Sequence, residues 1–494
     1  MMLKTASAFD DLFDRLGRGE RQCRISGLQG SAKALLLSIL YRRIEKTLIL
    51  LAPSEKEAWN MFRDVSFFLD EAGGHVFLYP PWDVLSTDIF AFQRDVELSR
   101  IEILYRLLTG QKSVIILPLK AMLQKVVPRP AFRDYLETIS IGDSLDRDDV
   151  TTKLTAGGYN RVSLVEEKGE FSLRGHVIDI FPPAAAYPYR MEFVGDELES
   201  IRTFDTASQR SKGELAEFAV LPAREVLLSE ERKERAIGNI RHRANELELS
   251  RMVKSRLVDM MEHNGVSSVN PLFIPLFYES LDSDQTGQTL KESLGTFFDY
   301  LPKDSIVIFD NTLSIRQAEE RIENEMERFL FKARSEGKFH LGKTASYLTG
   351  EEWRERCEQF QNIHLDELAL GREENDEMIR MDATVNPLTK TGTSREEEGR
   401  LSPVVGQIKS WLQDGHLVVF LCAGQEEVHR MNHLLNPYDL AVRIGNGPFL
   451  SDLEPRGYGG RLLLREGRIT EGFHLPDLKL VMITDEGIFG KKVP

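Results

Sequence analysis

Apolar residues run unbroken through several short stretches and recur every three or four positions between them. Thr47–Ser54 (TLILLAPS), Ser113–Pro118 (SVIILP), Asp304–Asn311 (DSIVIFDN), His416–Gly424 (HLVVFLCAG) and Leu478–Glu486 (LKLVMITDE) are continuous apolar runs bounded by turn residues. Such runs suit parallel strands buried on both faces. Ala58, Phe62, Val65 and Leu69 fall on one helical face, as do Ile101, Leu104, Tyr105 and Leu108. Strand–helix repetition of this kind predicts a parallel α/β sheet.

Around residue 130 the pattern changes. Gly169–Pro183 (GEFSLRGHVIDIFPP) and Tyr189–Asp205 alternate apolar with polar residues, and Gly195-Asp196 between two such runs predicts a hairpin. A small antiparallel-rich domain is expected here, followed by a charged helical stretch from about 226 to 264 with Ile237, Ile240, Ala244 and Leu247 on one stripe. The α/β pattern returns at Asp304. The polar residues 371–400 predict a domain boundary, and α/β patterning resumes from Leu401.

Length and composition narrow the class. The 494 residues predict three or four domains, and 41% hydrophobic content supports folded cores. The 63 basic and 78 acidic residues give a net charge of −15, which disfavours nonspecific binding to phosphate backbones while leaving room for a local basic patch. Cys23, Cys357 and Cys422 are far apart and lack metal-ligand spacing, so no disulfide framework or zinc site is expected. The first residues (MMLKTASAFDDLFDRLG) predict an amphipathic helix rather than a signal peptide, and no apolar run is long enough to span a membrane.

One stretch carries candidate chemistry. Gly27-Leu-Gln-Gly-Ser-Ala-Lys-Ala34 approximates the phosphate-binding loop G-x-x-x-x-G-K-[S/T]. Gly27, Gly30 and Lys33 are present. Ala32 stands where the second glycine gives clearance, and Ala34 stands where a hydroxyl would hold Mg²⁺. The matching acidic motif ends in Asp310-Asn311, with an amide where a general base belongs. The two losses together predict a degenerate site without ATP turnover. No catalytic residue and no metal site is assigned. His429 and His433 have i, i+4 spacing, but Arg430 occupies the place of a metalloprotease glutamate and no third ligand is evident. Arg241-His242-Arg243 is read as a solvated helix face.

Four stretches then carry a resemblance: GLQGSAKALL (27–36), YPPWDVLSTDIF (79–90), YNRVSLVEEKGEFSLRGHVIDIFPP (159–183) and YRMEFVGDELESIRTFDTASQRS (189–211). They resemble the N-terminal region of the bacterial transcription-repair coupling factor (Mfd) family, itself similar to the excision-repair helicase UvrB. The stretch 470–492 resembles the end of that family's third domain, with His474 where a helicase motif would carry an acidic residue. UvrB keeps an intact phosphate loop and a Tyr-rich DNA hairpin. Here the loop is degenerate, and only Phe90 and Phe92 are aromatic between Trp82 and Ile101.

The resemblance implies a multidomain α/β fold. Residues 1–128 and 225–385 are expected to form a degenerate RecA/helicase-like parallel-sheet domain, with 129–224 an inserted small α+β UvrA-binding domain, 386–400 a linker and 401–494 a small C-terminal α/β domain. It further implies a non-catalytic module that recruits UvrA to stalled RNA polymerase. Arg161, Arg174, Arg190 and Glu192 would contact UvrA, with Phe181 either an exposed apolar contact or core. By the alternation, Arg190 and Glu192 share one side of their strand, and Ser172, Arg174 and His176 share one side of theirs. As surface residues, Arg174 and Arg190 are expected to be dispensable for folding. RNA polymerase, double-stranded DNA, ATP and Mg²⁺ would be engaged by motor parts outside this chain, which itself needs no cofactor, and the setting would be the bacterial cytoplasm. The alternatives are an active UvrB-type ATP-dependent repair helicase and a passive DNA-binding protein.

Overall fold

The computed structural model describes residues 7–69, 75–83, 85–89, 93–227, 229–264, 269–279, 293–367, 378–388, 397–452 and 460–484. Phe90, Phe92 and much of the expected 371–400 boundary lie outside them, as does the end of the stretch 470–492.

A seven-stranded sheet forms the first domain, in the order Ile379–Arg380, Gln22–Ser26, Gln361–Asp366, Ile306–Asp310, Leu48–Ala52, Val114–Pro118, Val76–Leu78. Every neighbouring pair is parallel. The predicted apolar runs are buried throughout because both faces are covered. Ile49, Leu51, Ile115, Leu117, Val307 and Phe309 enter one core, while Leu48, Leu50, Val114, Ile116, Ile306 and Ile308 enter the other.

The inserted domain carries a six-stranded sheet, ordered Ser211–Leu215, Glu197–Phe204, Tyr189–Val194, Val177–Ile180, Glu170–Arg174, Asn160–Arg161. It is antiparallel except for its last pair. Gly195, at φ 64°, makes the predicted two-residue turn. Leu154, Tyr159, Phe171, Ile178, Met191, Phe193 and Ile201 form the core beneath one face. The helix Arg129–Tyr135, assigned by sequence to this domain, instead buries Ala131 and Phe132 in the first domain's core.

The third domain has a six-stranded sheet, ordered Thr384–Val385, Phe473–Leu475, Leu480–Thr484, Leu417–Cys422, Arg461–Glu466, Val442–Gly445. The chain therefore passes from one sheet to the next at Met381–Ala383. Thr384–Val385 already pairs with the third sheet, and the helix Glu397–Gln413 begins inside the expected linker. One core runs through both domains. It joins Leu35 and Ile39 of the helix Ser31–Arg43, and Phe68 of the helix Glu55–Leu69, to Val419, Phe449, Phe473 and Met482 of the third domain. No helix among the described residues is long and apolar enough to cross a membrane.

Candidate docking face and degenerate nucleotide loop

Alternation in the inserted sheet separates an apolar face from a charged one. Met191 and Phe193 are buried, and Arg190 and Glu192 lie on the opposite side. Register then assembles the charged face across strands. Asp179 stands opposite both Ser172 and Arg190, and Arg190 stands opposite Arg202. Val177 stands opposite Arg174 and Glu192, and Glu192 opposite Ser200.

Asp179 has no exposed surface and is the hub of this face. Its Oδ2 accepts from Arg174 Nη2 at 2.5 Å, and Arg190 grips both oxygens, Nε at 2.7 Å and Nη2 at 2.9 Å. The hydrogen bond to Asp179 raises the pKa of Arg190 above its ordinary value. The Arg190 guanidinium also lies over the Phe204 ring, 4.5 Å from its centroid. Glu192 accepts from Ser200 Oγ at 2.8 Å and lies 3.7 Å from Arg202 Nη1.

The sequence-predicted residues thus occupy different situations. Arg161 is exposed on the edge strand, and the Arg174 side chain is 48% exposed. The Arg190 side chain is only 19% exposed, so it is partly structural, contrary to the expectation that it is dispensable for folding. Phe181 is core: its ring packs with Val165, Ala185 and Phe204, which is what an apolar residue does under a loop-covered sheet end. His176 falls in the tight turn after Gly175 (φ 61°), so the period that put it beside Arg174 stops one residue too early. Asp179 and Arg202 were not singled out by sequence. The signal for Asp179 was a lone acid inside the apolar VIDI, where only a buried partner could tolerate it.

The phosphate-like loop precedes the helix Ser31–Arg43, with Gly30 as N-cap at φ 53°. Ala32 and Ala34 are buried, and Lys33 is 5% exposed. Lys33 Nζ donates to Asp310 Oδ1 at 2.7 Å and to Glu367 Oε1 at 3.3 Å. Burial acts to lower the lysine pKa, but the two carboxylates outweigh it and hold it above its ordinary value. Asn311, at φ 64°, caps the helix Thr312–Ser335 by accepting from the Ser314 N–H. A Cβ on Gly30 would stand 2.7 Å from Glu471 Oε2 of the third domain, so a protein carboxylate lies at the loop's mouth.

The remaining candidates are engaged elsewhere. Arg243 donates to the His340 carbonyl and pairs with Glu246, which also pairs with His242. His429 and His433 are exposed on the helix Gln425–Leu435. His474 Nε2 lies 3.1 Å from His416 Nε2, and burial lowers the His474 pKa. No group of three potential metal ligands is found among the described residues.

The chain is a multidomain α/β protein in which a parallel α/β domain is interrupted by an antiparallel one, and residues 138–226 match the family model of the UvrB interaction domain. Over nearly its whole length the chain is similar to the N-terminal part of transcription-repair-coupling factors. That of Bacillus subtilis (strain 168) is 25% identical over 506 residues, covering 99% of this chain and 40% of that protein. That of Myxococcus xanthus is 28% identical over 494 residues, covering 98% and 40%. The chain spans about two fifths of the length of the curated relatives it matches.

Proposed function

We propose that this chain is the UvrA-recruiting, non-catalytic part of a transcription-repair coupling factor. One observation carries the proposal: a solvent-facing sheet surface on which buried Asp179 fixes two arginines in place. Arginine held this way presents its remaining N–H donors with little further loss of side-chain freedom, which suits docking of an acidic protein surface. Arg174, Arg190, Glu192 and Arg202 supply the face, Arg161 stands exposed on the adjoining edge strand in register with Phe171, and Phe181 packs in the cluster of Phe204, whose ring lies under Arg190.

Support for a non-catalytic role comes from the loop. The lysine that would meet phosphate is spent on Asp310 and Glu367, the hydroxyl for Mg²⁺ is an alanine, and Glu471 lies at the loop's mouth. Asp310 is thereby a partner of Lys33, and Asn311 is a helix cap. This chain then needs no ATP, Mg²⁺ or other cofactor. In the longer protein, RNA polymerase, double-stranded DNA and ATP-driven translocation belong to other parts, in the bacterial cytoplasm.

The deciding experiment is binding of purified UvrA to the whole chain and to Arg174→Ala, with Lys332→Ala as control, since Lys332 is 74% exposed on a remote helix. Loss of UvrA binding in Arg174→Ala alone is expected. Equal binding by both variants overturns the assignment.

A further inference from the structure

Both glycines of the loop leave room for protein. A Cβ on Gly27 would stand 2.8 Å from the Met381 carbonyl oxygen and 2.9 Å from Asp382 Oδ1, in the segment between the two sheets. On Gly30 it would also meet Val385 Cγ1 at 3.0 Å, beside Glu471. The space a nucleotide-binding loop keeps clear for phosphate is here taken by the chain's own continuation.

Hydrogen bonds then tie the third domain to this spot. Asp64, 3% exposed on the helix Glu55–Leu69, accepts from Ser31 Oγ at 2.6 Å through Oδ2. Its Oδ1 accepts from the Thr470 N–H at 2.8 Å and the Thr470 Oγ1 hydroxyl at 3.0 Å. Ser31 Oγ in turn accepts from the Glu471 N–H at 3.0 Å. Arg63 Nη2 donates to Thr470 Oγ1 at 2.9 Å. Apolar contacts such as Phe68 against Phe449 and Phe473 hold the domains together without fixing direction. A buried carboxylate that must be satisfied from both domains supplies the register.

We propose that the degenerate loop is the receptor of an intramolecular latch. Thr470 and Glu471 key the third domain onto the first, Asp64 is their shared anchor, and the Glu471 side chain sits where a ligand would otherwise enter. The loop keeps its glycines for this contact, and a docked third domain excludes a phosphate-bearing ligand.

The test is hydrogen exchange on the whole chain. In the double variant Thr470→Val with Glu471→Ala, amides of the helix Ser31–Arg43 and the strand Phe473–Leu475 are expected to exchange at least ten-fold faster. The strand Tyr189–Val194 of the inserted domain should keep its wild-type rates, as should every segment of the control Glu426→Ala. Unchanged exchange over the helix Ser31–Arg43 would mean that apolar packing alone holds the domain, and overturns the latch. If the double variant fails to fold, near-isosteric Thr470→Val against Thr470→Ser decides. Faster exchange in the first only supports the latch, and equal rates in both refute it.

Discussion

A carboxylate without exposed surface, bonded to three guanidinium nitrogens, sets different consequences for two arginines that alternation alone makes equivalent. Arg174 makes one of those bonds and is half exposed, so its loss leaves Asp179 still gripped on both oxygens. Arg174→Ala is expected to change stability by about 1 kcal/mol or less, as exposed pairs do. It should weaken UvrA binding by roughly thirty-fold or more, the loss typical of an interface anchor. Arg190→Ala leaves Asp179 with only the half-exposed Arg174 on Oδ2 and Oδ1 without a partner in a buried setting, so a loss of about 2–4 kcal/mol is expected with the loss of binding. Urea denaturation alongside UvrA titration separates the two, and adding Asp179→Asn to Arg190→Ala should restore much of the stability and none of the binding. At this scale, alternation gave the side of the strand on which Arg174 and Arg190 lie and the resemblance singled them out, but neither gave their depth. Depth depends on which residue lies across the sheet: the turn at Gly175-His176 sets Asp179 opposite Ser172, and the pairing of Val177–Ile180 with Tyr189–Val194 sets it opposite Arg190.

Elements with continuous apolar runs were legible because both faces of a parallel sheet are covered, as for Leu48–Ala52 and Ile306–Asp310. Gln361–Asp366 (QNIHLD) lies near the middle of the same sheet and was not legible. Its polar side chains are engaged outside the strand: Gln361 donates to the Leu16 and Glu20 carbonyls, Asn362 Nδ2 to the Cys357 carbonyl, and His364 stacks on Phe309 at 4.5 Å. Asn311 shows the same contest at a helix end. Read as a failed catalytic glutamate, it is a cap in a left-handed conformation that asparagine tolerates. Asn311→Glu is therefore expected to lose about 1–2 kcal/mol and gain no ATP hydrolysis, checked by thermal melting and a steady-state assay. The helix Arg94–Leu108 anchors the root of the inserted domain, where buried Glu97 accepts from the Glu225 N–H at 2.7 Å. Burial pushes its pKa from 4.5 up to about 8, with Arg224 opposing. Across that window the folded chain keeps a proton the unfolded chain has released, so Glu97 makes stability fall as pH rises from about 4.5 to about 8 and level off above. Glu97→Gln is expected to flatten this decline in urea midpoints measured over the same range.

On the scale of the whole molecule, the loop lies between two domains whose contact no local pattern announces. Asp64 and Thr470 are 406 residues apart, and no sequence pattern links them. The sequence showed what the loop lacks, and the fold shows what fills it. This bears directly on the rival reading, an active UvrB-type helicase, because restoring motif residues would leave the obstruction in place. Ala32→Gly with Ala34→Thr returns backbone clearance and a hydroxyl. Lys33 would still be held by Asp310 and Glu367, and Glu471 would still lie against Gly30. A ligand at 100 times its dissociation constant adds about 2.7 kcal/mol to stability, which would be plain in a melting curve. Millimolar Mg-ATP is therefore expected to leave the melting temperature of the wild-type chain unchanged, and that of the double variant likewise. A clear upward shift in the wild type would establish a working nucleotide site and return the helicase reading. A shift only after Glu471→Ala is added to the double variant would show that the third domain, rather than the degenerate motif, is the final barrier to nucleotide.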